Sequence, residues 1–218
     1  MRLILLGPPG AGKGTQAYIL TEKFSIPHIS TGNLLRKAIG EKEPVGMKAQ
    51  SYIEKGELVP DNLVVEIVRK RIRESDAKKG FILDGFPRTR AQAGQLDDVL
   101  CSIDTKIDFV FYFKTTEKNI IERLSGRRVC KDCGFNYHIK NIPPRVSNVC
   151  DQCGGMLFYR PDDKVETIEN RLKVYNEQTS ELISYYKEKG LLKTVSGDLD
   201  ADKLFMVIKK IVMAAGLL

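Results

Sequence analysis

The chain has 218 residues, of which 42% are hydrophobic, and 35 Lys and Arg stand against 28 Asp and Glu, for a formal net charge of +7. This length and composition predict one large domain, or a core with insertions, and exclude disordered and fibrous classes. Apolar runs such as residues 3–6 and 109–113 are too short for a signal peptide or a membrane span, so we expect a cytoplasmic protein without membrane contact.

Short apolar strands alternate with helical stretches along the chain. Strands are predicted at residues 2–6, 81–83, 107–113 and 191–195, and helices at 13–24, 61–74, 89–101, 116–126, 163–188 and 200–214. Asp163 and Glu166 have the spacing of a capping box at the start of the fifth helix. The alternation predicts an α/β fold with a parallel sheet that is covered by helices on both faces.

Two stretches interrupt this alternation. Residues 30–59 contain helical pieces separated by Gly and Pro, and residues 127–164 are rich in Cys, Gly, Pro and polar residues. We therefore expect a core of residues 1–29, 60–126 and 165–218 that carries two insertions.

A glycine-rich loop follows the first strand. Its sequence is Gly7-Pro8-Pro9-Gly10-Ala11-Gly12-Lys13-Gly14-Thr15, and a helix is predicted to begin within it. Glycines allow backbone N–H groups to surround a phosphate, and the helix N-terminus and a lysine add positive charge. The loop therefore predicts nucleotide binding. Gly14 occupies the position where this type of loop usually has Ser or Thr, so Mg²⁺ ligation by a hydroxyl is left open.

Three motifs together resemble the adenylate kinase family. They are the loop above, the segment Ser30 to Arg36, and the run Asp84-Gly85-Phe86-Pro87-Arg88. The resemblance covers essentially the whole chain and implies a P-loop three-layer fold and the reaction ATP + AMP ⇌ 2 ADP with Mg²⁺. It also implies a mobile AMP-binding insertion at 30–59 and a mobile lid at 127–164. Nothing in the sequence indicates an oligomer, so we expect a monomer.

Phosphoryl transfer between nucleotides requires cations more than it requires a general base. The acceptor is a phosphate oxygen that is mostly ionised at pH 7, so the chemistry calls for arginines that neutralise and hold two polyanions. The arginines in or beside the loops and insertions are Arg36, Arg88, Arg123, Arg127, Arg160 and Arg171. Of the two histidines, we expect His28 to be structural and His138 to be a surface or lid residue. Asp84 ends a strand, where a carboxylate either organises Mg²⁺ through water or closes a turn.

The resemblance implies roles for individual residues. Catalytic roles fall to Lys13, Asp84, Arg88, Arg123, Arg160 and Arg171. ATP binding falls to Gly10, Ala11, Gly12, Lys13, Gly14, Thr15, Arg127, Asn136, Tyr137 and Leu199. AMP binding falls to Thr31, Arg36, Glu57, Leu58, Val59, Gly85, Phe86, Pro87, Arg88, Gln92, Arg160 and Arg171. Gln92 favours AMP, because related UMP/CMP kinases typically have Asn at that position.

Four of the five cysteines form two C-x2-C pairs. Cys130 and Cys133 are followed, after sixteen residues, by Cys150 and Cys153, a spacing typical of a closed tetrahedral zinc site. We expect a structural zinc rather than an Fe–S cluster, and we expect Cys101 to be a half-buried helix thiol. A zinc-ribbon ATPase that binds nucleic acid remains the alternative from another class, although few aromatic residues here could stack on bases. No Asn-Lys-x-Asp motif occurs, which argues against a GTPase.

Overall fold

A five-stranded parallel sheet organises the chain, of which a computed structural model describes residues 1–217. Its strands are β1 (Arg2–Leu6), β2 (His28–Ser30), β3 (Phe81–Asp84), β4 (Phe109–Lys114) and β8 (Leu192–Ser196). Their order is β2-β3-β1-β4-β8, with Ile4 of β1 opposite Leu83 of β3 and Val110 of β4. The predicted parallel sheet is confirmed. The three-residue strand β2 was not predicted, because it is too short to show an apolar pattern.

Helices cover both faces of this sheet, as the apolar run of β1 predicts. Leu3 and Leu5 pack towards α1 (Lys13–Phe24) and α9 (Ala201–Ala214). Ile4 and Leu6 face the opposite side, against α4 (Asp61–Ile72), α5 (Arg90–Cys101) and α8 (Glu181–Glu188). All four β1 side chains are at most 3% exposed, so β1 is buried on both faces as a central parallel strand should be.

The first insertion consists of two helices that pack closely together. α2 (Thr31–Gly40) follows β2 directly, and α3 (Pro44–Lys55) returns beside it. A Cβ atom at Gly46 would lie 2.2 Å from the carbonyl carbon of Ala38, so glycine is required where the two helices approach.

The second insertion is a small antiparallel sheet that the sequence did not predict. It contains β5 (Arg127–Cys130), β6 (Asn136–His138) and β7 (Leu157–Phe158), in the order β6-β5-β7. It lies between α6 (Glu117–Ser125) and α7 (Val165–Val174). We refer to residues 127–164 as the lid.

The predicted helix over residues 163–188 differs from the structure in two ways. The observed helix α7 begins at Val165, with Lys164 at the N-cap. The turn Tyr175–Thr179 is a π-helix that separates α7 from α8. The carboxylate of Asp163 accepts hydrogen bonds from Arg127 instead of capping α7. The capping-box prediction is therefore wrong.

Within residues 1–217, no helix combines the length and the apolar character that a membrane span requires. The prediction for Cys101 is also wrong, because this thiol is exposed at the end of α5.

Candidate active site

The carboxyl ends of the parallel strands open into a cleft of about 820 Å³. Gly7 follows β1, Asp84 ends β3, and Gly197 follows β8, so loops from three strands meet at this edge. Ligands of open α/β sheets bind at this edge, where the strand order reverses. Nucleotide-sized ligands fit cavities of this volume.

The glycine-rich loop connects β1 to α1 at the floor of the cleft. Gly10 and Gly12 adopt left-handed backbone conformations, with φ of 80° and 90°, and these conformations favour glycine at both positions. The ammonium group of Lys13 donates to the carbonyl oxygens of Gly7 and Pro8, at 2.8 Å each. Burial lowers the pKa of Lys13 to about 8, although the nearby carboxylate of Asp84 opposes this shift.

Asp84 lies beside the loop, with its carboxylate in the cleft. His28 of β2 places Nε2 3.2 Å from Oδ2 of Asp84. Burial alone would raise the pKa of Asp84, but the hydrogen bond and charge of His28 and the charge of Lys13 bring it below the usual value. The carboxylate is therefore ionised at neutral pH, which suits a carboxylate that interacts with a divalent cation.

Seven cationic side chains line the cleft: Lys13, Arg36, Arg88, Arg123, Arg127, Arg160 and Arg171. They come from the core, from α2 and from the lid, so the fold gathers residues that are up to 158 positions apart in the chain. Such a concentration of positive charge is costly unless anions compensate it, and it indicates a site for a polyanionic ligand.

Two buried aspartates of the lid hold three of these arginines. Asp162 accepts a hydrogen bond from Nε of Arg160 at 2.9 Å, and Asp163 accepts one from Nε of Arg127 at 2.7 Å. Arg171 donates to Oδ1 of Asp163 at 3.1 Å and lies 3.2 Å from Oδ2 of Asp162. Burial would raise the pKa of Asp162, but the charges of Arg160 and Arg171 lower it well below its usual range. Burial lowers the pKa of Arg127 to about 10, so its guanidinium remains charged at neutral pH.

A smaller cavity of about 70 Å³ adjoins the cleft between α2, α5 and the end of α3. Apolar contact is available from Leu58 and Val59, and polar groups from Thr31 and Gln92. Arg88 is fixed at its mouth, because its Nε donates to the carbonyl oxygen of Gly85 at 2.9 Å. Its lining therefore offers apolar, polar and cationic contacts to a single ligand, with the positive charge of Arg88 at the mouth.

The four paired cysteines form a cluster in the lid. Their Sγ atoms all lie within 4.8 Å of one another, with 3.4 Å between those of Cys130 and Cys153 and 3.6 Å between those of Cys133 and Cys150. A tetrahedral zinc ion with Zn–S bonds of about 2.3 Å would place its sulfur atoms roughly 3.8 Å apart. The cluster is therefore compatible with a structural zinc ion.

Comparison with known proteins identifies the family. The adenylate kinase family model matches residues 5–191. The adenylate kinase of Clostridium tetani is 51% identical over 214 residues, which cover 98% of this chain and 99% of that protein. The adenylate kinase of Caldicellulosiruptor saccharolyticus is 52% identical over 210 residues, covering 96% and 98%. The chain belongs to the adenylate kinase family. Family membership makes it a nucleotide-binding phosphotransferase.

Most of the residues that the resemblance to adenylate kinases named lie around the two cavities. Around the main cleft these are the loop residues from Gly10 to Thr15, with Arg123, Arg127, Asn136, Tyr137 and Leu199. Around the smaller cavity are Thr31, Arg36, Glu57, Leu58, Val59, Gly85, Arg88, Gln92, Arg160 and Arg171. Pro87 lines the main cleft.

Two of the named residues have surroundings that differ from a simple ligand contact. Phe86 is 1% exposed and packs in the same hydrophobic cluster as α5, so its side chain anchors the loop that follows β3. Tyr137 borders the cleft, but its hydroxyl accepts from the backbone N–H of Asp151 at 2.7 Å and contacts Sγ of Cys150 at 3.5 Å.

Sequence reasoning missed several residues of the site. His28 was expected to be structural, yet it borders the cleft and contacts Asp84. Asp198 was not considered, although it accepts a hydrogen bond from Asn119 at 2.8 Å at the edge of the cleft. A signal for Asp198 was present, because Gly197 and Asp198 follow a strand end just as Asp84 ends β3. His138 lies in the lid as expected, but it is buried at 7% exposure.

Proposed function

We propose that this chain transfers a phosphoryl group between ATP and AMP, giving two ADP, in the cleft at the carboxyl edge of its sheet. The observation that carries the proposal is the convergence of Lys13 and six arginines on one cavity that adjoins a second, smaller cavity. Two nucleotides whose phosphates meet among these cations account for both cavities.

On the donor side, the phosphates of ATP lie along the backbone N–H groups of Gly10 to Thr15. Lys13 exchanges its two carbonyl partners in the loop for phosphate oxygens, because a phosphate offers a stronger, charged acceptor. Arg123, which now donates to the carbonyl oxygen of Gly197 at 2.7 Å, reaches the transferring group. Asn136 and Leu199 border the nucleoside part.

On the acceptor side, Arg36 and Arg88 hold the phosphate of AMP and Gln92 reads its base. Arg36 donates to Oδ1 of Asn33 at 2.6 Å, and Arg88 is fixed by Gly85, so both guanidiniums are positioned before the ligand enters. Thr31, Leu58 and Val59 enclose the base. Glu57 and the backbone of Gly85 complete this pocket.

The transfer needs no general base. A bond forms between the γ-phosphorus of ATP and an ionised phosphate oxygen of AMP, while the bond from that phosphorus to the β,γ-bridging oxygen breaks. The cationic side chains stabilise the charge that is shared between the two phosphates, with Arg160 and Arg171 approaching from the lid and α7. Adenylate kinases use Mg²⁺ with ATP, and the ionised Asp84 would organise that ion; its position in the cleft beside Lys13 supports this role.

The two insertions close over the nucleotides and exclude water from the transfer. Contacts between the lid and the rest of the chain support this proposal. The hydroxyl of Tyr18 on α1 donates to Oε1 of Gln152 at 2.9 Å, and its ring lies edge-on to Phe135 with 4.5 Å between centroids. A Cβ atom at Gly134 would be 3.1 Å from Nδ2 of Asn33, so the lid also approaches the AMP-binding insertion.

The lid binds one structural zinc ion through Cys130, Cys133, Cys150 and Cys153. Four thiolates leave no open position for substrate, so this ion stabilises the lid and takes no part in the transfer. The small sheet of the lid has a modest apolar core that includes Tyr137 and Leu157. Metal binding supplies the folding stability that such a small core lacks.

We further propose that the chain is a cytoplasmic monomer. The cleft is lined by residues of a single chain from the core and both insertions, so the site does not call for a second copy. Cysteines that bind a metal through C-x2-C pairs, rather than forming disulfide bonds, are typical of proteins in a reducing compartment.

A coupled assay with ATP and each nucleoside monophosphate tests the function. We expect saturable turnover with AMP and little with UMP, CMP or GMP. ATP hydrolysis that needs no acceptor and that rises with added DNA or RNA would instead support the zinc-ribbon ATPase and contradict the proposal.

A further inference from the structure

The side-chain amide of Gln92 is held at both ends. Its Oε1 accepts the backbone N–H of Arg88 at 2.7 Å, and its Nε2 donates to Oδ1 of Asp61 at 2.7 Å. Gln92 is only 1% exposed, although it borders the smaller cavity. The amide is therefore a buried group with fixed partners rather than a freely rotating one.

The chemistry of those partners permits one orientation of the amide. A backbone N–H can only donate, and an ionised carboxylate can only accept. Asp61 accepts at both oxygens, because Oγ1 of Thr89 donates to its Oδ2 at 2.9 Å while accepting the N–H of Gln92 at 3.1 Å. A reversed amide would place an N–H group against the N–H of Arg88 and an oxygen against the carboxylate of Asp61. Both contacts would be repulsive.

This orientation matters because glutamine can otherwise serve two kinds of purine. The second N–H of Nε2 and the second lone pair of Oε1 remain as hydrogen-bonding capacity for a ligand. An amino purine presents a donor at position 6 and an acceptor at N1, whereas an oxo purine presents an acceptor at position 6 and a donor at N1. A rotatable amide could match either edge by turning over, and a fixed amide matches one.

We propose that Asp61 is a positioning residue that fixes the amide of Gln92 and thereby selects 6-amino over 6-oxo purine monophosphates. The inference rests on the proposed function, in which Gln92 reads the acceptor base. Asp61 acts through Gln92 and need not touch the nucleotide. A site that hydrogen-bonds one edge discriminates strongly against a ligand that leaves its buried polar groups unpaired.

The test compares kcat/KM for AMP and for IMP at saturating ATP in the wild type and in Asp61→Asn. Asparagine keeps the size of Asp61 but can present either oxygen or nitrogen to Gln92, so the reversed amide loses one of its two penalties. We expect the preference for AMP over IMP to fall about tenfold, in line with one hydrogen bond. Asp98→Asn is the matched control, because Asp98 is an exposed carboxylate on the same helix as Gln92 and should leave the preference unchanged.

Gln92→Leu separates this inference from the proposed function. If Gln92→Leu weakens AMP use but Asp61→Asn lowers kcat/KM equally for AMP and IMP, then Asp61 is merely structural and the inference is overturned. If Gln92→Leu leaves both the KM for AMP and the preference unchanged, then Gln92 does not read the base, and the proposed role of Gln92 fails with it. Melting temperatures of all variants identify any general loss of folding.

Discussion

Replacing Asp163 with asparagine should destabilise the protein far more than the loss of a helix cap. Asp163 is 0% exposed, and its carboxylate accepts from Arg127 and Arg171, whose side chains are 17% and 15% exposed. Asparagine keeps the volume, so the cost is mainly that of leaving two buried guanidiniums with too little negative charge. Breaking a buried ion pair in this way costs about 3–5 kcal/mol, whereas losing a helix cap costs about 1 kcal/mol.

Denaturant and thermal unfolding of Asp163→Asn measure this cost. For a chain of this length, a loss of that size lowers the melting temperature by roughly 10 °C. Ser30→Ala provides the comparison, because the Ser30 side chain accepts from the N–H of Asn33 at the start of α2 and acts as a true cap. Adding Arg127→Met to Asp163→Asn should recover part of the lost stability, since it removes one unpaired charge.

The result that would refute this reasoning is a loss for Asp163→Asn no larger than that for Ser30→Ala, with no recovery in the double variant. Asp163 would then contribute only as a carboxylate near the start of a helix, as the sequence pattern had indicated.

Three further predictions concern the chemistry and the metal. Arg88→Lys keeps the charge but loses the planar fork, so we expect turnover to fall by about a hundredfold with little change in melting temperature; wild-type kinetics would contradict the role of Arg88. Because the pKa of Lys13 is lowered to about 8 in the free protein, its charged form is lost as the pH rises through this value. We therefore expect kcat/KM for ATP to decline above about pH 8. We expect kcat, which reports the nucleotide-bound enzyme, to decline only at a higher pH. A kcat/KM that stays level well beyond about pH 8 would refute the role of Lys13 in binding ATP. Cys130→Ser or chelation should release one zinc per chain, lower the melting temperature and speed proteolysis within residues 127–164, while the folded fraction retains activity. Cys101→Ser is the control and should leave zinc content, melting temperature and proteolysis unchanged. A Cys130→Ser protein that melts unchanged but has lost all activity would show that the metal acts in catalysis.

The sequence alone was sufficient for the elements whose signals are local. The phosphate loop is contiguous, its glycines and Lys13 lie at short fixed spacings, and the strand before it is a plain apolar run. The two C-x2-C pairs likewise predicted a cluster whose Sγ atoms the fold brings within 4.8 Å of one another. The family motifs named residues that now border the two cavities, because in each motif the functional side chain follows a strand end or begins a helix.

Tertiary structure decided what depends on partners that are distant in the chain. Strand β2 has three residues and exists because β3 offers it hydrogen bonds, which no local pattern of that length can indicate. Asp163 looked like a helix cap, but Arg127 lies 36 residues away in sequence and takes its carboxylate as a partner. Asp61 and Gln92 are 31 residues apart, and their contact determines which way an amide faces. Local sequence sets the conformations that a segment favours, whereas packing sets the partner of a buried charge or amide. The free-energy cost of leaving such a group unpaired exceeds the preference for any single cap or turn.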